Sequence, residues 1–333
     1  MNEVTWYGQR AFSALMRSAH RYPRRWAAVL ALVALFVGYR FMLAPPTAFS
    51  PGSTVVIARG ASASLVAQTL ADAHIIAHPE LLRIILHLSG SNTQAQAGIY
   101  RFNAPENLLT VAHRLVTGAY GIPPVRITLP EGMSTREMAE RIADAYPSIS
   151  ANDFLAVGEP YEGYLFPDTY FFPPSVDAAL IVKTMRANFN ARTSSLSEEI
   201  RLSGHSLSDV VILASLIEKE ARTTASRRIV AGILFNRLKL GMPLQVDAVF
   251  GYIYGRDTYS PSATDLTVKS PYNTYTHIGL PPGPINNPGL DSIDAVLHPT
   301  KTAYLYYLVG KDTLMHYATT HAGHQDNRKK YLD

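Results

Sequence analysis

The chain has 333 residues, 47% of them apolar, which is enough for about two domains with hydrophobic cores. Its formal net charge is +4, but five arginines against one glutamate in residues 1–25 account for that surplus, so the neutral remainder argues against a nucleic-acid partner. The lack of cysteine excludes disulfides and thiolate metal sites, and it fits an exported protein that relies on its core.

Residues 26–44 are predicted to form a transmembrane helix. The segment is apolar apart from Arg40 near its far end, where a long side chain can reach the headgroups. The arginines before it predict a cytoplasmic tail over residues 1–25 and export of the rest. A cleaved signal peptide is the alternative, but residues 42–45 make a poor cleavage site. We expect a single-pass inner-membrane protein whose main part is periplasmic.

An internal repeat follows a short linker at residues 45–53. Residues 55–73 and 125–145 share one pattern, which predicts a strand, a glycine turn, a serine N-cap and an amphipathic helix. The corresponding turn and cap residues are Gly60 and Gly132, and Ser62 and Ser134.

Each copy resembles half of a LysM-like module, a class of domain that holds peptidoglycan or chitin glycans. The resemblance implies a LysM-like α+β region over residues 54–150. The alternative is a spacer that stacks on the following domain. Between the copies, the sequence predicts a helix over 79–88, a strand over 97–102 and a helix over 107–116.

A helix over residues 207–222 is the most distinctive element of the second half. Ser206 or Ser208 is its predicted N-cap. From Val210 to Ile217 the only polar residue is Ser215, so the helix is expected to be buried on most sides.

Glu218 comes directly after this apolar run. It shares a helix face with small side chains, which leave room for a ligand above its carboxyl. A carboxyl in such a place loses hydration, which disfavours its charged form and predicts a general acid that works near neutral pH. The alternative is an ion pair between Glu218 and Arg222 at an exposed helix end. Lys219 and Glu220 are expected to face water.

Three loops beyond residue 240 are rich in proline and glycine, at 243–247, 269–275 and 279–289. Rigid loops that carry amides and aromatic hydroxyls are typical of carbohydrate sites, whereas a phosphate site would need clustered cations or a glycine loop at a helix start. No glutamate follows Glu220, so a second catalytic carboxylate would be an aspartate, and Asp247 is the best candidate. The candidate glycan-binding residues are Gln245, Asp247, Tyr272, Asn273, Thr274 and Tyr275.

Three late histidines, His316, His321 and His324, suggest a metal site only weakly. No acidic motif accompanies them, and zinc needs a fuller ligand set. The chain also lacks a nucleophile-elbow sequence for serine hydrolysis. We expect neither a metal nor another cofactor.

Eight short motifs occur in order through the second half, at residues 162–170, 214–220, 235–238, 244–247, 270–275, 279–285, 287–289 and 298–299. Together they resemble the endolytic murein transglycosylases, the YceG-like family. The resemblance also covers the anchor and the LysM-like region. It implies an α+β fold with a mixed α+β catalytic domain at residues 151–333.

The resemblance implies cleavage of the β-1,4 bond between N-acetylmuramic acid and N-acetylglucosamine in nascent strands, which leaves a 1,6-anhydro end and stops elongation. The glutamate of the family that matches Glu218 is the catalytic acid. Gln245 and Asn273 would hold acetamido groups, while Tyr272 or Tyr275 would stack on a ring. Glycan strands, the inner membrane and peptidoglycan synthases are the implied partners.

Two alternatives remain open at this point. The first is a hydrolase that uses Glu218 with Asp247 as a carboxylate pair and leaves reducing ends. The second is a non-catalytic, membrane-tethered scaffold that binds glycan, in which Glu218 only forms an ion pair at a helix end.

Overall fold

The computed structural model describes residues 16, 18, 20–88, 95–256 and 260–332. The chain divides into two compact units, Met1–Pro123 and Pro124–Asp333. The predicted cytoplasmic tail, residues 1–25, lies mostly outside the described residues. Helices and short antiparallel strand pairs alternate along the chain, so the predicted α+β class is confirmed.

The first unit begins with helix α1, Pro23–Met42, which covers most of the segment predicted to span a membrane. Its exposed apolar side chains include Leu30, Leu35 and Phe36. Within the described ranges, no single helix passes a test of length and hydropathy for a membrane span. A helix pair bent by 106°, Ala178–Ser203 with Leu207–Glu220, passes that test by length and composition.

The remainder of the first unit is a strand–helix–helix–strand unit with one further helix. Strands β1 (Ser53–Ile57) and β2 (Gly98–Phe102) pair antiparallel, and helices α2 (Ala63–Asp72) and α3 (Pro79–Leu88) lie between them in sequence. Helix α4 (Leu108–Thr117) follows. These elements close around one apolar core, and their positions confirm the elements predicted for this region.

The second unit opens with the same order of elements. Strands β3 (Val125–Thr128) and β4 (Thr169–Phe172) pair antiparallel, and helices α5 (Thr135–Ala145) and α6 (Ala151–Gly158) lie between them in sequence. In both copies a glycine with positive φ makes the turn and a serine caps the first helix, which confirms the predicted repeat. The turn residues are Gly60 (φ 74°) and Gly132 (φ 80°), and the caps are Ser62 and Ser134.

The boundary between the compact units differs from the one expected at 150/151, because it falls between Pro123 and Pro124. Strand β4, beyond residue 150, completes the sheet and the apolar core of the second copy. The second copy therefore belongs to the same compact unit as the residues that follow it. The repeat pattern marks local elements but does not show which distant strand closes each sheet.

The remaining elements of the second unit are α7 (Ala178–Thr193), α8 (Ser197–Ser203), α9 (Leu207–Glu220), α10 (Thr224–Lys239), α11 (Ala248–Tyr254), α12 (Leu290–Leu297), β5 (Tyr306–Val309), β6 (Met315–Ala318) and α13 (His321–Tyr331). Strands β5 and β6 form an antiparallel hairpin. Helix α9 lies in the core and packs against α10 and α12.

Helix α9 has the cap and the burial that its sequence predicts. The Ser206 hydroxyl accepts a hydrogen bond from the Asp209 N–H at 3.0 Å, and the Asp209 carboxylate bonds back to Ser206 as a capping box. Every residue from Val210 to Ile217 is buried. The one polar member, Ser215, donates to the Ile212 carbonyl and accepts from the Ile285 N–H at 3.1 Å, so its burial leaves no lost hydrogen bond.

Candidate active site

A cavity of about 740 Å³ opens at the C-terminal end of α9. Its lining comes from the end of α9, Arg237 of α10, the loop before α11, the loops between α11 and α12, strand β5 and the C-terminal residues from α13 onward. The polar side chains that line it include Glu220, Gln245, Asp247, Tyr275, Tyr307 and His324. Carboxyl, amide and phenol groups around one concave space suit a ligand rich in hydroxyl groups.

Glu220 enters this cavity, so the expectation that it faces water is wrong. Burial raises the pKa of Glu220 to about 7, and the negative charge of Asp247 adds to the rise. The Tyr307 hydroxyl, the Ala248 N–H and the Arg237 charge act in the opposite direction but do not cancel the effect of burial. A carboxyl that titrates near pH 7 can donate a proton at neutral pH and then accept one.

Glu218 lies in a different environment from the one predicted. Its Oε1 accepts from Arg227 Nη2 at 2.5 Å, and its Oε2 accepts from the Gly289 N–H at 2.9 Å. Its side chain is only 5% exposed, and Glu218 does not line the cavity of Glu220. Each oxygen therefore has one protein donor, which holds the carboxyl in place. The assignment of Glu218 as the acid stays a prediction.

The partner of Glu218 also differs from the alternative considered above, in which Arg222 would form the ion pair. Arg227, in the first turns of α10, bonds Glu218 and reaches Asp291 at 2.6 Å. The same guanidinium donates to the Ala221 carbonyl at 3.2 Å. Arg227 thus fastens the end of α9 to the first turn of α12.

Asp247 and Tyr275 meet at the wall of the cavity. The Tyr275 hydroxyl donates to Asp247 Oδ1 at 2.5 Å, and burial together with this acceptor raises the pKa of the Tyr275 phenol. Asp247 is thereby held by a protein donor beside Glu220. Asp247, the predicted candidate for a second carboxylate, thus lies beside Glu220 in a cavity that Tyr275 also lines and Glu218 does not.

Gln245 lines the cavity with an unusual backbone conformation. Its φ is 51°, in the left-handed region that residues other than glycine seldom adopt. Its N–H donates to the Thr274 carbonyl at 3.0 Å, and its Oε1 accepts from Arg237 Nη1 at 3.3 Å. Arg237 also donates to the carbonyls of Leu244 and Leu305, so it joins two walls of the cavity.

Asn273 and Thr274 do not line the cavity, contrary to the predicted contacts with glycan. Both are buried, and their side chains bond to the backbone. Asn273 Nδ2 donates to the Leu266 and Val268 carbonyls, while its Oδ1 accepts from the Tyr275 N–H. The Thr274 hydroxyl accepts from the Val246 N–H at 2.9 Å. These two residues shape the loop that presents Tyr275.

Tyr272 also lies outside the cavity of Glu220. It lines a separate cavity, where its ring centroid is 4.9 Å from that of Tyr252. Of the six predicted glycan-binding residues, the structure therefore brings Gln245, Asp247 and Tyr275 to Glu220.

Two further residues of the cavity, Tyr307 and His324, were not predicted to bind glycan, because no motif around them indicates such a role. Tyr307 interacts with the Glu220 carboxyl, but its hydroxyl does not reach the geometry of a standard hydrogen bond. His324 Nδ1 is likewise buried without a hydrogen-bond partner among the described residues. Burial and the nearby charges of Arg328 and Arg237 lower the pKa of His324. Buried polar atoms that have no hydrogen-bond partner can bond to a ligand that enters the cavity.

The three late histidines do not come together. His316 bonds to Asp312 and stacks on Tyr331, whereas His321 and His324 lie beside Tyr306. Among the residues that the structure describes, no group of three or more histidine, aspartate or glutamate side chains is arranged to hold a metal ion.

Comparisons with known proteins agree with this architecture. A sequence model described as the YceG-like family matches residues 55–330. The chain is 32% identical over 303 residues to a Bacillus subtilis protein named endolytic murein transglycosylase, covering 83% of this chain and 84% of that one. It is 26% identical over 344 residues to a protein of the same name from Streptococcus pneumoniae serotype 2, covering 90% of this chain and 62% of that one.

A crystal structure of a yceG-like protein from Listeria monocytogenes has a TM-score of 0.58 against this chain at 29% identity. The match covers 82% of this chain and 98% of that one. Since the family match extends over most of the sequence and the Bacillus relative is similar along most of both chains, this chain belongs to the YceG-like family.

Proposed function

We propose that this chain is a membrane-anchored lytic transglycosylase of peptidoglycan in which Glu220 is the catalytic acid and base. The observation that carries the proposal is the raised pKa of Glu220, about 7, in a cavity lined by tyrosines, an amide and Asp247. The names of the Bacillus and Streptococcus relatives, endolytic murein transglycosylase, supply the reaction and the substrate. The family's eight ordered motifs in this sequence support the transfer of the reaction. The acid of that family matches Glu218, so the choice of Glu220 rests on the cavity and its lining alone.

In the proposed reaction, protonated Glu220 gives its proton to the O4 leaving oxygen as the bond between C1 and O4 breaks. Positive charge develops at C1 of N-acetylmuramic acid. The C6 hydroxyl of the same sugar attacks C1 and passes its proton to the Glu220 carboxylate, which restores the acid. The products are a 1,6-anhydro end and a free O4 hydroxyl, without consumption of water. One carboxyl is sufficient because the nucleophile belongs to the substrate.

A hydrolase that uses Glu220 with Asp247 is the second candidate, because Asp247 lines the same cavity. The 2.5 Å bond from Tyr275 to Asp247 favours the first candidate, since it engages one of the two carboxylate oxygens that could accept a proton from water. The chemical end of the product distinguishes them: mass spectrometry would find anhydro ends for a lytic enzyme and reducing ends for a hydrolase.

The test of the proposal is Glu220→Gln in the full-length chain. Glutamine keeps the size of glutamate but has no transferable proton, and general acid or base help contributes roughly 10²- to 10⁴-fold in each role. We expect a loss larger than that of a single role, with glycan binding retained. Substantial cleavage by a variant with wild-type thermal stability would refute the assignment. Wild-type protein that binds glycan strands without shortening them would instead support the alternative of a non-catalytic glycan-binding scaffold.

Residues 1–25 are proposed to be cytoplasmic and α1 to be the anchor in the inner membrane. Residues 45–333 are proposed to lie in the periplasm. The arginines that precede α1 and its exposed apolar side chains support this orientation. A C-terminal reporter that is active only in the cytoplasm would contradict it.

The anchor would confine the active site to a thin layer at the membrane, where peptidoglycan synthases release new strands. Synthases are therefore the proposed neighbours, and nascent strands the proposed substrate. If a soluble form that lacks residues 1–44 restored normal strand lengths in cells at native abundance, confinement would not be the basis of substrate choice.

A further inference from the structure

A second cavity, of about 370 Å³, shares three segments of the chain with the cavity that contains Glu220. Lys219, Ala248 and Tyr272 line the second cavity, whereas Glu220, Asp247 and Tyr275 line the first. Consecutive Cα atoms are about 3.8 Å apart, so adjacent residues such as Lys219 and Glu220 bring the linings of the two cavities close to each other.

The second cavity is the more highly charged of the two. The first has two carboxyl groups and two arginines, whereas the lining of the second has four glutamates and three cationic side chains. Its cationic groups come from Arg136, Lys219 and Arg256, and its carboxyl groups from α5, the turn after α6 and the loop that follows. Paired signs in one small cavity complement a ligand that has both ammonium and carboxylate groups, better than they complement a neutral sugar. Its volume lies near the lower end of the usual range for small-ligand sites, roughly 300–1,000 Å³.

Arg136 and Glu159 supply one cationic and one carboxyl group to this cavity. Both are exposed, Arg136 in the first turn of α5 and Glu159 in the turn at the end of α6. Gly255 ends α11 with φ 65°, and a Cβ there would come within 2.6 Å of Arg136 Nη1. A side chain at that position would therefore displace the guanidinium from its place at the cavity.

Resting on the function proposed above, we propose that the second cavity binds the peptide stem of the N-acetylmuramic acid whose bond is cleaved. The stem starts at the lactyl group of the same sugar that reacts at C1. An extended peptide advances about 3.3–3.6 Å per residue, so three residues of the stem reach roughly 10 Å from the sugar. Arg136 then binds a stem carboxylate, and Glu159 binds an ammonium group. Contacts remote from the reacting atoms position the sugar for proton transfer.

The test compares two substrates for the full chain: glycan strands with intact stems, and strands from which an amidase has removed them. The variant is Arg136→Ala with Glu159→Gln. The matched control is Arg141→Ala with Asp144→Asn, which removes the same charges from the other side of α5, where both residues line a different cavity. The rate of formation of anhydro ends gives kcat/KM for each substrate.

We expect the wild type and the control to prefer strands with stems by about tenfold, the size expected for one or two hydrogen bonds to charged groups. The variant should lose that preference, while its kcat/KM on bare strands stays at the wild-type value. A wild type without preference, a variant that retains it, or a variant equally impaired on both substrates would overturn the proposal.

A binding measurement separates this proposal from the proposed catalysis. Calorimetric titration of Glu220→Gln with the stem tripeptide L-Ala-γ-D-Glu-meso-diaminopimelate should show binding that Arg136→Ala with Glu159→Gln weakens about tenfold in the same background. If no substrate yields anhydro ends but this pattern holds, the reaction is wrongly assigned and the peptide site stands. If anhydro ends form but the tripeptide does not bind, the peptide site is refuted alone.

Discussion

Arg227 holds Glu218 through a 2.5 Å hydrogen bond from Nη2 to Oε1, and both side chains are nearly buried, at 12% and 5% exposure. The same guanidinium reaches Asp291 at 2.6 Å, so one cation connects α9 to α12. Glu220, two residues further along the helix, extends into a cavity instead. The first glutamate thus fastens the helix that carries the second.

Glu218→Gln should therefore affect stability more than chemistry. It removes a buried charge partner of Arg227, and the expected cost in the free energy of unfolding is about 1–3 kcal/mol. Turnover of the folded fraction should stay within a few-fold of wild type. Chemical denaturation checks the first expectation and the rate of strand cleavage the second.

Glu198→Gln is the matched control for Glu218→Gln. Its pair with Arg201 is about two-thirds exposed and screened by solvent, so we expect a much smaller loss of stability than for Glu218→Gln. A variant of Glu218 that is as stable as wild type but inactive would restore Glu218 as the acid.

The rate of cleavage should depend on pH through Glu220. The carboxyl must be protonated to act as the acid, and its pKa is about 7, so kcat/KM should fall as the pH rises above about 7. A pH–rate profile of the full-length protein between pH 5 and 9 measures this descending limb of kcat/KM. A rate that stays constant up to pH 9 would contradict the raised pKa.

Asp247→Asn should move this limb to lower pH. The negative charge of Asp247 raises the pKa of Glu220, and its removal takes that contribution away. A lytic enzyme should retain measurable cleavage with anhydro products, whereas a hydrolase that needs Asp247 would lose nearly all turnover. Asp312→Asn, at an exposed aspartate outside the cavity, is the control and should leave the limb in place.

Tyr307→Phe should move the limb in the opposite direction. Its hydroxyl favours the charged form of Glu220, so its removal should raise the pKa of Glu220 further. Stability should change little, because the hydroxyl has no standard hydrogen bond to lose among the described residues. Opposite shifts for Asp247→Asn and Tyr307→Phe would identify Glu220 as the titrating group. Shifts of the same sign would point to another group.

Glu162 should make the stability of the second unit depend on pH. Burial raises its pKa to about 7 from 4.5, even though the Thr135 N–H and Asn287 Nδ2 donate to its carboxyl. Between these values the folded state binds more protons than the unfolded state. The contribution of Glu162 is fully present below about pH 4.5 and is lost as the pH rises through about 7.

Glu162→Gln should flatten this decline, by at most about 1.4 kcal/mol per pH unit. Denaturation curves at several pH values check this result. Glu220→Gln, measured in parallel, shows how much Glu220, whose pKa is also about 7, contributes to the same loss of stability. A decline unchanged in Glu162→Gln would show that this carboxyl does not titrate near pH 7.

Local sequence determined most of the secondary structure. The serine and aspartate pattern at Ser206 and Asp209 fixed the start of α9, and the apolar run after it fixed the burial of the helix. Glycine turns and serine caps, repeated in two places, fixed both strand–helix starts. Hydrogen bonds between neighbours in the chain control these features, so they can be read without knowledge of distant segments.

The tertiary structure alone decided which glutamate faces the cavity. Helical spacing separates Glu218 from Glu220 by about 200° around α9 but does not say what covers each side. Arg227 and Gly289 cover the side of Glu218, whereas Tyr307 and Asp247 lie beside Glu220. Likewise, asparagine is a residue type that often binds sugars, but Asn273 is buried and its side-chain amide donates to backbone carbonyls instead. Burial and charge at these positions come from segments that are distant in sequence and meet only in the folded chain.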